Sequence, residues 1–215
     1  MNKFITFEGG EGTGKSTQAK LLIKSFRKIT KNIILTREPG GTSQSELIRE
    51  ILVKSQEIEW NPLTELLLIN AARNEHLNNL IKPALKRKIV ICDRFIDSTK
   101  AYQVYAKCVD ERIFSFLNKI VVSDLEPSIT FLIDLDPKIG LKRTKIRKGD
   151  ENRFENYDVN FHKKIRQGFL LQAKRNKKRI MLIDETLSKV EIHKQIVNKV
   201  NKLSFFKKKL PFTLK

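Results

Sequence analysis

A chain of 215 residues with 40% hydrophobic content is long enough to bury one core without disulfide or metal support, and too short for a multi-domain machine. No apolar run approaches the ~20 residues of a membrane span, and the N-terminal MNKFITFEGG lacks a signal peptide's features, so no membrane partner and a cytoplasmic location are expected. The charge of +19 invites a nucleic-acid reading, but residues 1 to 139 hold 21 basic and 17 acidic residues while 140 to 215 hold 22 and 7.

The excess is therefore C-terminal, rich in lysine and poor in interleaved aromatics, and part of it clusters near an expected phosphate site. Nucleic acid is not expected as the main partner. Cys92 and Cys108 lack CxxC or Cys/His metal spacing and are expected to be reduced packing residues.

Taken in order, short apolar runs alternate with longer amphipathic stretches, the pattern of a parallel sheet covered by helices. A strand over 3–7 leads into Gly9-Gly10-Glu11-Gly12-Thr13-Gly14-Lys15-Ser16, which matches GxxxxGK[ST], and a helix over 15–28 follows. In that context the glycines let backbone N–H groups turn toward a phosphate and the helix presents its positive end to the same anion. Lys15 then neutralises β/γ-phosphate charge and Ser16 supplies a hydroxyl on the Mg²⁺ side, with Thr17 next in the helix.

A strand over 32–36 and helices near 43–54 and 63–86 come next, with Pro39 and Pro62 at turns or helix starts. The strand over 89–92 ends at Asp93-Arg94. Such a pair is often a surface ion pair, but beside a phosphate loop the carboxylate can hold Mg²⁺ through water and the arginine can clamp a phosphate. A helix near 98–120, a strand over 129–133, helices near 137–147 and 158–177, a strand over 180–183 and a helix near 188–203 complete the chain, with Pro127 and Pro137 as punctuation. The fold class is α/β, a three-layer P-loop NTPase fold with a five-stranded parallel sheet. Residues 1–203 form one domain, and 204–215 a basic tail.

Five stretches, FEGGEGTGKST (7–17), TREPGGT (36–42), AAR (71–73), DRFIDSTKAYQ (93–103) and GLKRTKIRKGDENRFE (140–155), together resemble the bacterial thymidylate kinase family. The resemblance spans all but the last dozen residues. It implies a nucleoside monophosphate kinase with a mobile lid at about 143–156, usually a homodimer, that makes dTDP from dTMP with Mg-ATP. The loop interior carries no arginine, which resembles the family members whose catalytic arginines lie in the lid: Arg143, Arg147 and Arg153. Arg143 and Arg147, four apart, are expected to share a helix face, and Arg153 follows the stretch 148–151, where a closing lid would need flexibility. Asn152 stands where the family usually has an aspartate.

The resemblance also assigns an acceptor site. Glu11 lies near the acceptor sugar and metal, Arg37 and Arg94 meet the acceptor phosphate, and Arg49 is a weaker candidate that could equally be helix surface. Arg73 reaches the thymine edge among Ser98, Thr99 and Gln103, and the Tyr102 ring lies under the deoxyribose. Ile69 occupies a position where many relatives stack a phenylalanine on the base, so a kinase for dUMP or another monophosphate stays open as an alternative. A polynucleotide-stimulated P-loop ATPase and a nucleotide-dependent interaction protein are more distant readings; neither uses all of these residues.

Overall fold

The computed structural model describes residues 3–53, 58–146, 153–184, 186–203 and 208–214. Five parallel strands, β1 (Phe4–Glu8), β2 (Ile33–Arg37), β3 (Ile89–Asp93), β4 (Ile129–Asp134) and β5 (Ile180–Asp184), form one sheet in the order β2-β3-β1-β4-β5. Each lies within a residue of its expected position. The register pairs Phe7 with Asp93 and Phe131, so the phosphate loop and Asp93-Arg94 emerge side by side at the carboxyl edge of the sheet.

The strands are apolar on both faces because helices cover both. Ile5, Phe7, Ile91, Phe131 and Ile133 pack with α1 (Lys15–Arg27) and α9 (Lys189–Val200). The alternate residues Phe4, Val90 and Cys92 face the other way, onto Leu77, Ile81 and Phe95. That same alternation turns Thr6 and Glu8 to the second face, where polar residues gather under the site.

The remaining helices are α2 (Ser43–Val53), α3 (Pro62–His76), α4 (Lys82–Leu85), α5 (Ile96–Thr99), α6 (Glu111–Val121), α7 (Pro137–Lys145) and α8 (Val159–Arg175). α3 and α4 are joined through a π-helical turn, Leu77–Ile81, so the helix expected at 63–86 is continuous. Pro62 and Pro137 stand at the first turns of α3 and α7, behind capping Asn61 and Asp136.

The single helix expected near 98–120 is two. α5 continues as a π-helical segment, Lys100–Ala106, and stops where Cys108 takes φ 58. Asp110 then caps α6 by accepting from the backbone N–H of Arg112. Beyond residue 203, Leu210 is buried in the core and exchanges two hydrogen bonds with the Asn201 side chain. No helix among the described residues is long and apolar enough to cross a membrane.

Candidate active site

The loop after β1 wraps an open cavity of about 320 Å³ lined by residues 11–17 together with Arg37, Arg49, Asp93, Arg94 and Thr144. Gly12 has φ 67, and a Cβ there would lie 2.2 Å from the carbonyl oxygen of Gly140, so only glycine lets α7 approach. Gly14 enters α1 in the left-handed region with no side-chain cap, which leaves the first-turn amides of the helix for another acceptor. Lys15 is 6% exposed and its Nζ donates to the Gly10 carbonyl at 2.5 Å. Burial, with Arg94 nearby, lowers its pKa from 10.5 to about 8 against the pull of Glu11, Asp93 and Glu8.

Ser16 and Asp93 meet as expected, Ser16 Oγ donating to Asp93 Oδ2, while Asp93 Oδ1 is buried with no hydrogen-bond partner among the described residues. A hydroxyl and a carboxylate with a spare oxygen suit a hard, oxygen-seeking cation such as Mg²⁺.

Arg94 has φ 69, a conformation costly for a residue with a Cβ, and is held there from both sides. Its backbone N–H donates to the Phe7 carbonyl at 2.9 Å, and that of Phe95 donates to Glu8 Oε1 at 2.7 Å. The guanidinium donates to the Gly9 carbonyl at 3.0 Å, to Ser98 Oγ at 3.2 Å and to Glu11 Oε1 at 2.7 Å. Tyr102 also donates to Glu11 Oε1, at 2.6 Å, and its ring lies under the guanidinium. Burial works against charge on Glu11, but Arg94, Lys15 and Tyr102 outweigh it and hold its pKa at about 2. Glu11 thus spends its bonds on the acceptor side.

Glu8 is fully buried under this turn, and Ser98 Oγ donates to its Oε2. Burial, then Asp97, raises its pKa from 4.5 to about 8. The folded protein therefore keeps a proton that the unfolded chain gives up above pH 4.5, so the stability Glu8 contributes is complete below 4.5 and lost as pH climbs through 8. Glu8→Gln, which cannot ionise, is expected to gain in melting temperature relative to wild type between pH 5 and pH 8; an equal difference at both would contradict this.

A second cleft of about 140 Å³, more apolar, adjoins the first and shares Glu11, Glu38, Arg49, Arg94 and Glu155 with it. Ile69, Arg73, Ser98, Thr99, Tyr102 and Gln103 all line it, so the expected acceptor residues converge. Arg73 is 2% exposed; its Nε donates to Glu38 Oε2 and its Nη2 to Thr99 Oγ1, both at 2.7 Å, while Nη1 is buried without a partner among the described residues. Gln103 Nε2 donates to Glu65 Oε1 at 2.8 Å, leaving Gln103 Oε1 buried and unpartnered among the described residues.

Ile69 supplies an aliphatic wall, and Phe95 and Phe154 bring aromatic surface to the same cleft. Arg49 reaches the Pro39 carbonyl at 2.7 Å and borders both cavities; Arg37 pairs with Glu46 and stays half-exposed at the rim of the first.

Of the expected lid arginines, Arg143 and Arg153 are among the described residues. Arg143 is exposed on α7, and Arg147 lies outside the described residues, as does all of 147–152. Arg153 is 4% exposed, donates to the Leu52 carbonyl at 2.9 Å and stands 2.6 Å from Glu65 Oε2.

Glu8, Glu38 and Glu65 were not among the residues singled out from sequence, because each acts through another side chain. The glutamate in REPGG is the one that the motif itself could have flagged. Glu38, His76 and Cys92 could chelate a metal by proximity, but His76 is occupied by Glu38 and Thr36, and burial pushes the Cys92 thiol well up. The cluster is a hydrogen-bonded prop for Arg73.

The thymidylate kinase family model matches residues 7–196. The chain is 46% identical over 205 residues to a thymidylate kinase of Sulfurihydrogenibium sp. (strain YO3AOP1), covering 95% of this chain and 99% of that relative. It is 46% identical over 202 residues to one from Wolbachia pipientis wMel, covering 92% and 99%. The crystal structure of thymidylate kinase from Ehrlichia chaffeensis superposes with a TM-score of 0.75 at 38% identity, over 92% of this chain and 97% of that one. With motif, fold and paired clefts in agreement, the chain belongs to the thymidylate kinase family.

Proposed function

We propose that the protein transfers the γ-phosphoryl group of ATP to the 5′-phosphate of dTMP, giving ADP and dTDP for nucleotide biosynthesis. The observation that carries this is the junction of an amide-rich phosphate cavity with a pyrimidine-sized cleft at Glu11 and Arg94. The phosphate loop 9–14, with Lys15, Ser16 and Thr17, holds the donor; Arg37, Arg49 and Arg94 hold the acceptor phosphate. That phosphate is already largely a dianion at neutral pH, with a second pKa of about 6, so positioning and charge stabilisation suffice without a strong general base.

Ser16 and Asp93 are the residues that would hold Mg²⁺, which neutralises phosphate charge when bound. The lid arginines Arg143, Arg147 and Arg153 then meet the charge that develops in transfer. For Arg153 this requires leaving Glu65.

Thymine fits the second cleft by hydrogen-bond polarity: a free donor on Arg73 for O4 and a free acceptor on Gln103 for N3–H. Packing of the Tyr102 ring under the sugar, with its hydroxyl tied to Glu11, disfavours a 2′-hydroxyl. Uracil offers the same polar edge, and loss of the methyl against Ile69 and its neighbours costs only ~1–3 kcal/mol, so slow turnover of dUMP is expected. Label from γ-³²P-ATP should appear in dTDP in step with ADP; label released only as inorganic phosphate would refute the transfer.

We further infer a cytoplasmic homodimer. Leu47 and Ile51 on α2, Leu63 and Leu67 on α3, and Ile113, Phe116 and Ile120 on α6 leave large apolar groups exposed at helical spacing on neighbouring helices. Phe116→Asp, at a residue 65% exposed, should halve the mass seen by sedimentation. A wild-type protein of monomer mass would refute the dimer.

A further inference from the structure

Glu65 has no exposed surface and touches none of the phosphate cavity, yet it fixes a group that does line the acceptor cleft. Its Oε2 lies 3.0 Å from Lys107 Nζ and 2.6 Å from Arg153 Nη2, and its Oε1 accepts from Gln103 Nε2. A carboxylate set between two cations offers acceptors only, so the Gln103 amide can meet it only through its NH₂ group. The carbonyl of that amide is thereby committed to the opposite side, and Gln103 Oε1 is buried there with no partner among the described residues. Arg73 in the same cleft holds a buried donor that has no partner among the described residues, fixed by Glu38 and Thr99.

We propose that Glu65 is a positioning residue that locks the Gln103 amide with its carbonyl toward the acceptor base, and so makes the cleft select thymine or uracil over cytosine. Thymine and uracil present an N3–H beside a carbonyl, which matches an acceptor beside a donor. Cytosine presents a bare N3 beside an amino group, the reverse at both atoms. To welcome cytosine the Gln103 amide has to turn over, which would face its carbonyl oxygen against the Glu65 carboxylate, two buried acceptors with no proton between them. Glu65 therefore acts on specificity from behind Gln103. The inference rests on the reading that a pyrimidine deoxynucleotide occupies this cleft.

Glu65→Gln tests it, since an amide at 65 can offer either its carbonyl or its NH₂ to Gln103 and the lock is lost. Because that change leaves Lys107 and Arg153 beside a neutral group, the double variant Glu65→Gln/Lys107→Met, which removes one cation along with the anion, is measured alongside. With kcat and KM determined separately for dTMP and dCMP, the preference for dTMP in kcat/KM is expected to fall at least about tenfold, through KM more than kcat. A folded variant that turns over dTMP with the wild-type preference intact overturns the proposal.

Should neither variant fold, the side-chain NH₂ resonance of Gln103 in the wild-type protein, assigned by its loss in Gln103→Met, decides the matter. A resonance unmoved by dTMP supports the lock, and one that moves as for a group newly bonded to the base refutes it. Wild-type protein that phosphorylates neither pyrimidine would instead refute the acceptor reading itself.

Discussion

Arg94→Ala is expected to lower kcat/KM for dTMP by about three orders of magnitude, the upper range for loss of a preorganised charged donor. The size of the effect follows from how much converges on this side chain. It bridges the Gly9 carbonyl, Ser98 and Glu11, and its backbone is held at φ 69 between Phe7 and Glu8. Removing the guanidinium leaves Glu11 with Tyr102 as its remaining hydrogen-bond donor at Oε1, so a loss of stability of about 1–3 kcal/mol accompanies the kinetic loss. Arg94→Lys keeps the charge but not the planar fork, and should recover little of the activity. Steady-state kinetics with dTMP, beside a thermal melt, check both parts; kcat/KM within tenfold of wild type would remove Arg94 from the acceptor site.

Lys15→Met should lower kcat by about two to three orders of magnitude while the fold persists, since the side chain's bonds are confined to its own loop. The same residue sets a pH dependence. Its pKa in the free protein is about 8, lowered chiefly by burial, and ATP phosphates bind the charged form. Affinity for ATP is therefore full below pH 8, and above it weakens up to about tenfold per pH unit as the proton is lost. Calorimetric titration of ATP from pH 7 to pH 9.5 checks the sign and the onset. Lys15→Arg, which stays charged, should bind ATP without that decline; a wild-type affinity flat across the range would contradict the assignment.

How much of this was legible in the sequence depends on how local each determinant is. The five strands read correctly because buried parallel strands are short, apolar and bounded by turns, and the phosphate loop because its geometry is set by consecutive residues. The break at Lys107–Asp110 was hidden inside an amphipathic stretch with neither proline nor glycine, and only the positive φ of Cys108 and the Asp110 cap reveal it.

At the site, the residues expected around the acceptor base converge because α3 and the helical stretch after β3 bring Arg73 and residues 98–103 to one cleft. The residues that orient them do not announce themselves. Glu8 is a buried acid in an apolar strand, and Glu65 looks like an ordinary helix residue until Gln103, Lys107 and Arg153 arrive from 38 or more positions away. The burial of Arg153 on Glu65 likewise follows from tertiary packing, not from the charge pattern around it.

The most direct test of the central claim, that dTMP is the acceptor, is the rate of ADP formation from Mg-ATP with dTMP, dUMP, ribosylthymine monophosphate, AMP or single-stranded DNA as second component. Strong stimulation by dTMP, weaker by dUMP and slight by the ribonucleotides and DNA is the predicted result. Stimulation by DNA alone, or by AMP above dTMP, would contradict it.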